Sequence, residues 1–267
     1  MMFPRYVRLS LPRLWVRDIV HFAKKSDVVG GNGVMNIAPL VEARRAARSR
    51  VNRTTLLTRG LALVARNRPE LRQSYIPFPV GHIYQHPKSV ATIVVERGWR
   101  GESAVFVDQI QAPEDLSLDE IDALYRGMRQ RPIESVGGFR RLIRVTRLPL
   151  PIRRGLWRLA LYGSGDLHSR YFGTFSVNSI PAPRTEAMQS VTPITMSVTH
   201  GYLESNGDMP LQILVDHRVI DGMGLVRIAR ELEAVLNEQL AAELRESAGL
   251  PVSAVPPRPR MKAADEG

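Results

Sequence analysis

An α/β (α+β) chain is what the sequence predicts, and three observations carry that expectation. First, Leu211, Ile213 and Val215 alternate with Gln212, Leu214 and Asp216, the period of a strand with one well-buried face. Second, Leu225, Ile228, Ala229, Leu232, Val235, Leu236 and Leu240 follow at helical spacing, so the strand turns directly into a long amphipathic helix. Third, further strand-like runs at 81–85, 90–96, 104–110 and 191–202 are interleaved with helix-like runs at 39–50, 54–68 and from 117 to about 130. The 267 residues are enough for one large domain or two small ones, with a sizeable core.

Residues 1 to about 35 read as an extended start, RYVRLSL, a short helix around Trp15 to Lys25, and a loop, SDVVGGNGVM. The glycines of that loop are followed by no Lys-Ser/Thr and lack the G-x-G-x-x-G order, which argues against a nucleotide site. The helix at 54–68 is capped near Asn52 or Thr54 and stopped by Pro69. His82 and His86 are four apart, but Gly81 and Pro87 bracket them in a strand-like stretch and no third ligand is in sight, so no metal site is expected. Ser117-Leu118-Asp119-Glu120 is a capping box. Asn206-Gly207 supplies the turn of a hairpin between 191–202 and 211–216. The Pro-rich tail, 251–267, reads as disordered, leaving 1–250 as the folded domain.

Composition narrows the function classes. With no cysteine there are no disulfides, thiol nucleophiles or thiolate metal sites. No apolar run is long enough to span a bilayer and the arginine-interrupted N-terminus makes a poor signal peptide, so a cytoplasmic protein is expected. The net charge of +11 is concentrated: residues 126–170 hold eleven arginines against Glu134 and Asp166. Such a patch attracts phosphates, acidic carrier proteins, nucleic acid or anionic lipid, unless it is a solvated face. Within the basic insertion, about 131–170, RLPLPIRRGLWRLALYG mixes Arg with Leu, Trp and Tyr. A membrane-surface helix, a docking face and a substrate lid all remain open, and Pro149 and Pro151 argue against one continuous amphipathic helix. Aromatics near the arginines are too few for a nucleic-acid stacking platform.

The candidate chemistry sits between the strand and helix at 211–240. His217 and Asp221 are four apart, followed by Gly222 and Gly224. A histidine acts as a general base near neutral pH when its tautomer and orientation are fixed, and a carboxylate one turn later can do the fixing. The alternative is a core histidine at a strand end, with Asp221 as a helix N-cap.

HRVIDG, placed after LQILVD and before a long amphipathic helix, resembles the active-site signature of one superfamily. Its members are the chloramphenicol acetyltransferases and the catalytic domains of the dihydrolipoyl acyltransferases of 2-oxoacid dehydrogenase complexes. GTFSVNSI, residues 173–180, resembles the strand that carries the family's oxyanion-stabilising group, and the two lie in the family's order and at about its separation. The resemblance covers roughly residues 5 to 245, without the lipoyl domain and linkers of the dehydrogenase complexes.

The resemblance implies a two-layer sandwich with a mixed sheet, and a homotrimer, or multiple of trimers, with active sites between subunits. In it, His217 of one chain faces the GTFSVNSI strand of the next. His217 would take the proton of an acceptor thiol, hydroxyl or amine, which attacks a thioester without a covalent acyl-enzyme. Asp221 and Gly222 would hold the turn, with Arg17 as the cation paired to Asp221. Asn178 stands where the family has a serine, with Ser179 beside it and Ser176 two residues back. Asn178 is therefore the expected oxyanion donor. The donor substrate would be an acyl-CoA or the pantetheine thioester of an acyl carrier protein, with no permanently bound cofactor, and Arg140, Arg141 and Arg144 are candidates to hold its phosphates. The competing class is a catalytically silent trimeric scaffold whose Arg-rich segment binds a partner protein or membrane surface.

Overall fold

The structure, a computed structural model, describes residues 8–24, 26–180 and 193–251. The expected disordered tail beyond residue 251 and the first part of the extended start, residues 5–7, lie outside the described residues.

In chain order the elements are α1 (Leu11–Ala23), β1 (Val28–Asn36), α2 (Ala38–Ala46), α3 (Arg53–Asn67), β2 (Gln73–Ile76), β3 (His82–Gln85), β4 (Val90–Trp99), β5 (Glu102–Gln111), α4 (Leu118–Gln130), α5 (Gly137–Thr146), α6 (Leu150–Tyr162), α7 (Gly165–Phe172), β6 (Phe175–Ser179), β7 (Met196–His200), β8 (Asp208–Asp216), α8 (Gly222–Ala234) and α9 (Ala241–Ser247). A π-helical turn, Val235–Leu240, joins the last two helices.

Six strands form one mixed sheet in the order β1-β8-β7-β6-β4-β5, and β2 pairs with β3 in a separate hairpin. β6 runs parallel to both β4 and β7; the other pairings are antiparallel. Alternation sorts the central strands. Phe175, Val177, Met196, Val198, Ile213 and Val215 line one face and join the hydrophobic core with Leu57 and Leu61 of α3 and Ile228 and Leu232 of α8. This is the mixed α/β architecture that the sequence predicts.

Local signals explain most boundaries. Asn52 caps α3 by accepting from the Thr54 amide at 2.9 Å. Both bonds of the Ser117–Glu120 capping box are formed, opening α4. The break at Leu148-Pro149 ends one helix of the basic segment and starts the next, so residues 137–172 fold as α5, α6 and α7 rather than as one rod.

Two elements depart from the sequence reading. SDVVGGNGVM, expected as a loop, is largely the edge strand β1, paired along its whole length with β8. Of its glycines, Gly30 serves a close approach. A Cβ on Gly30 would collide with the Leu214 side chain and stand 3.1 Å from the Ile213 carbonyl oxygen. β2 also carries no strand-like signal, since Gln73 and Ser74 break its apolar pattern; pairing with β3 decides it.

Three buried imidazoles give the fold a defined acid response. His86 and His168 stack at 6.4 Å and share the Ser74 hydroxyl at 3.2 Å each, and His200 lies 3.3 Å from the Thr54 hydroxyl. Burial, before any other cause, holds all three down at about 4 against an ordinary 6.5. Below the ordinary value the unfolded chain takes up protons that the native one refuses. Stability is therefore expected to be full above pH 6.5 and to fall as the pH drops towards 4, read as the midpoint of urea unfolding. A midpoint unchanged from pH 7 to 4.5 contradicts this account.

Candidate active site

β8 ends at Asp216 and α8 starts at Gly222, so His217 stands in the intervening turn with its side chain exposed. Two contacts fix it. Its backbone amide donates to the Asp27 carbonyl at 2.8 Å, and its Nδ1 lies 3.2 Å from the Ile220 carbonyl oxygen. A carbonyl only accepts, so that bond requires the proton on Nδ1 and leaves Nε2 with its lone pair facing outward. The imidazole is thus held in the tautomer a general base needs. No burial screens it within one chain.

The turn is braced by residues the sequence reading passed over. Asp216 takes a two-pronged bond from Arg218, Nε at 2.8 Å and Nη2 at 2.6 Å, and accepts from the Arg218 amide at 3.0 Å. The same guanidinium lies 4.3 Å from the centre of the Tyr75 ring, on β2. Fixing Asp216 and Arg218 on either side of His217 restricts its backbone. The tyrosine comes from 143 positions upstream, so only the fold discloses it.

Asp221 accepts from the Gly224 amide as the N-cap of α8, and Arg227 approaches it at 3.8 Å. Its role is to start the helix and hold the turn, not to contact the imidazole. Arg17, by contrast, is exposed on α1, and within the chain the cation beside Asp221 comes from α8 instead.

Asn178 lies on β6, facing away from the apolar core. Its Nδ2 donates to the hydroxyls of Ser197 at 2.9 Å and Thr199 at 3.2 Å, both on β7, while Ser176 donates to Ser197 at 2.9 Å. In register with Asn178 and Thr199 come Gln212 on β8 and Asn32 on β1, which are joined at 2.9 Å. A row of polar side chains thus crosses four strands. Ser179 points to the opposite face of the strand, in register with His200. Just before β6, Gly173 turns the chain at φ +81°, ψ 176°, where a Cβ would meet the Val90 carbonyl oxygen at 2.7 Å.

Register also separates His217 from Asn178 along the strands. Asn178 is level with Gln212, and His217 lies five positions further along the chain, about 17 Å along the strand direction at the usual rise per residue. They cannot meet within one chain.

No protein-family model and no curated protein matches the sequence. Solved structures do match. A probable dihydrolipoamide acetyltransferase from Listeria monocytogenes superposes with a TM-score of 0.64 at 13% identity, over 87% of this chain and 94% of that one. The Azotobacter vinelandii dihydrolipoamide acetyltransferase gives 0.63 at 14% identity, over 90% and 93% of the two chains. That structure addresses the catalytic roles of a serine, a histidine and, four positions after the histidine, an asparagine. A chloramphenicol acetyltransferase gives 0.52 at 12% identity, over 85% and 98%. This chain has the fold of these acetyltransferases.

In the acetyltransferase fold of this chain the remaining candidates sit apart. Arg140 and Arg144 are exposed on α5, which packs against β5, the sheet edge opposite β1. Arg141 bonds Gln109 Oε1 at 2.8 Å and lies 4.9 Å from the Tyr171 ring centre. His86 is buried and His82 exposed, and among the described residues no group of three or more His, Asp or Glu side chains could hold a metal ion.

Proposed function

We propose that the protein transfers an acyl group from a thioester, an acyl-CoA or a carrier-bound pantetheine, to a thiol, hydroxyl or amine acceptor, in sites formed between neighbouring copies of the chain. The observation that carries the reading is the His217 ring, pinned through Nδ1 with Nε2 turned outward at the end of a strand. Support comes from the shared fold and from the four-residue step between His217 and Asp221, the same step as between histidine and asparagine in the Azotobacter enzyme. It also comes from the separation of His217 and Asn178, which a ring of subunits closes by bringing one chain's turn to the next chain's β6. A trimer fits that requirement.

In the reaction, Nε2 of His217 accepts the proton as the acceptor atom attacks the thioester carbonyl. The tetrahedral oxyanion is bonded by the Asn178 amide. As the intermediate collapses the carbon–sulfur bond breaks, and the imidazolium returns its proton to the leaving thiolate, giving free thiol and acylated acceptor. Asn178 already donates to two neutral hydroxyls, but a charged acceptor forms a bond roughly twice as strong and wins the N–H. The exposed Arg140 and Arg144, with Arg141, would hold the donor's phosphates.

The test offers the protein a panel of acyl thioesters with simple amines, alcohols and thiols, following free-thiol release and identifying products by mass spectrometry. Absence of any acylated product, with only wild-type-independent hydrolysis, rejects the reading. Removing one oxyanion donor typically costs about 10²–10³ in turnover. Asn178→Ala is expected to show a loss of that order, with Asn178→Ser retaining more. If instead Ser179→Ala is the variant that loses activity, the donor belongs to the other face of β6.

A further inference from the structure

α6 buries one side and leaves another bare. Arg153, Trp157 and Leu161 face the core, whereas Ile152, Leu156 and Leu159 are 54%, 43% and 56% exposed. The spacing of these three, i, i+4 and i+7, sets them on one stripe of the helix. Three bulky apolar side chains on one stripe are more than scattered surface exposure. The charge of this segment is predominantly positive. Arg147, just past the end of α5, and Arg158 on α6 are exposed, and the only acidic residues between 126 and 170 are Glu134 and Asp166.

The helix is not free to lift as a lid. Asp18 and Arg153, both buried, form an ion pair that ties α6 to α1. Trp157 stacks on Phe22 of α1, 5.9 Å between ring centres and 5° between planes. α6 is a rigid platform with an apolar stripe among cations.

We infer that this face of α6 docks on an anionic lipid surface, Ile152, Leu156 and Leu159 entering the headgroup–acyl boundary and the flanking arginines meeting lipid phosphates. Charge complementarity selects the occupant. A second copy of the chain seated on this face would set arginines against arginines, and a free phosphate leaves the stripe uncovered. An anionic bilayer satisfies both features together.

Flotation of the full chain with vesicles tests it. Phosphatidylcholine alone should leave the protein behind, and inclusion of about 30% phosphatidylglycerol should carry it up. Ile152→Asn/Leu156→Asn/Leu159→Asn should lower the bound fraction about tenfold or more, and Leu159→Asn alone several-fold. Arg147→Ala/Arg158→Ala, or raising salt from about 50 to about 500 mM, should weaken binding through charge. His217→Ala should bind as wild type does, which separates this inference from acyl transfer. Failure of the wild type to float, equal binding to neutral vesicles, or undiminished binding of the triple variant overturns the proposal. So does a triple variant whose only change is a smaller assembly in sedimentation, since the stripe is then a subunit contact.

Discussion

Replacing His217 by alanine is expected to remove acyl transfer while leaving the fold and assembly unchanged. General-base catalysis contributes about 10²–10⁴ in rate, and a loss within that range is the expected reading of thiol release. The side chain is exposed and makes one side-chain bond, to the Ile220 carbonyl, so its removal costs the turn little. The Asp216–Arg218 pair and the Tyr75 ring continue to hold the backbone on either side. Equal rates for wild type and variant would leave the fold serving as a scaffold. The same variant tests the site's composition. His217 and Asn178 lie too far apart to meet within one chain, so an inactive His217→Ala chain and an inactive Asn178→Ala chain each carry what the other lacks. Unfolding and refolding the two as a mixture should restore about a quarter of the sites in a head-to-tail ring. No restoration on mixing would mean each site is built from one chain alone.

The parts of this arrangement legible in the sequence are those encoded over short range. The strand, turn and helix around His217 are contiguous, and each has its own period, so 211–240 reads correctly without knowledge of the rest. Asn178 is legible through the resemblance of GTFSVNSI to the family's strand, and alternation along β6 then sets it on the face opposite Phe175 and Val177. What is hidden depends on distant partners. β1 looks like turn material because of its glycines, yet Gly30 answers to the Leu214 side chain and the Ile213 backbone, 183 and more positions away. The two β7 hydroxyls that take both Asn178 N–H bonds become neighbours only through the β6–β7 register. In WVRDIV the arginine draws notice and the aspartate does not. Yet Arg17 is exposed, while Asp18 is wholly buried against an arginine 135 positions later.

That aspartate carries the largest expected effect on stability. Arg153 donates from Nε and Nη2 to Asp18, and its Nη1 donates to the Thr146 carbonyl at 2.9 Å and the Leu148 carbonyl at 3.3 Å. Asp18 and Arg153 are 0% and 3% exposed, so neither is solvated by water. Arg153→Ala leaves a buried carboxylate with only Arg154, 4.0 Å away and one-third exposed, and it strips two carbonyls of their donor. Breaking a buried pair from one side typically costs about 3–5 kcal/mol, and a loss in that range is expected from urea unfolding. The charge left behind, rather than the attraction lost, makes up most of it. Asp18→Leu combined with Arg153→Met should therefore be more stable than Arg153→Ala alone, because no uncompensated ion remains. Recovery should stay short of wild type, since methionine gives nothing to Thr146 and Leu148. If Arg153→Ala unfolds within about 1 kcal/mol of wild type, Asp18 finds water or another cation, and α6 is less firmly anchored to α1 than the pair implies.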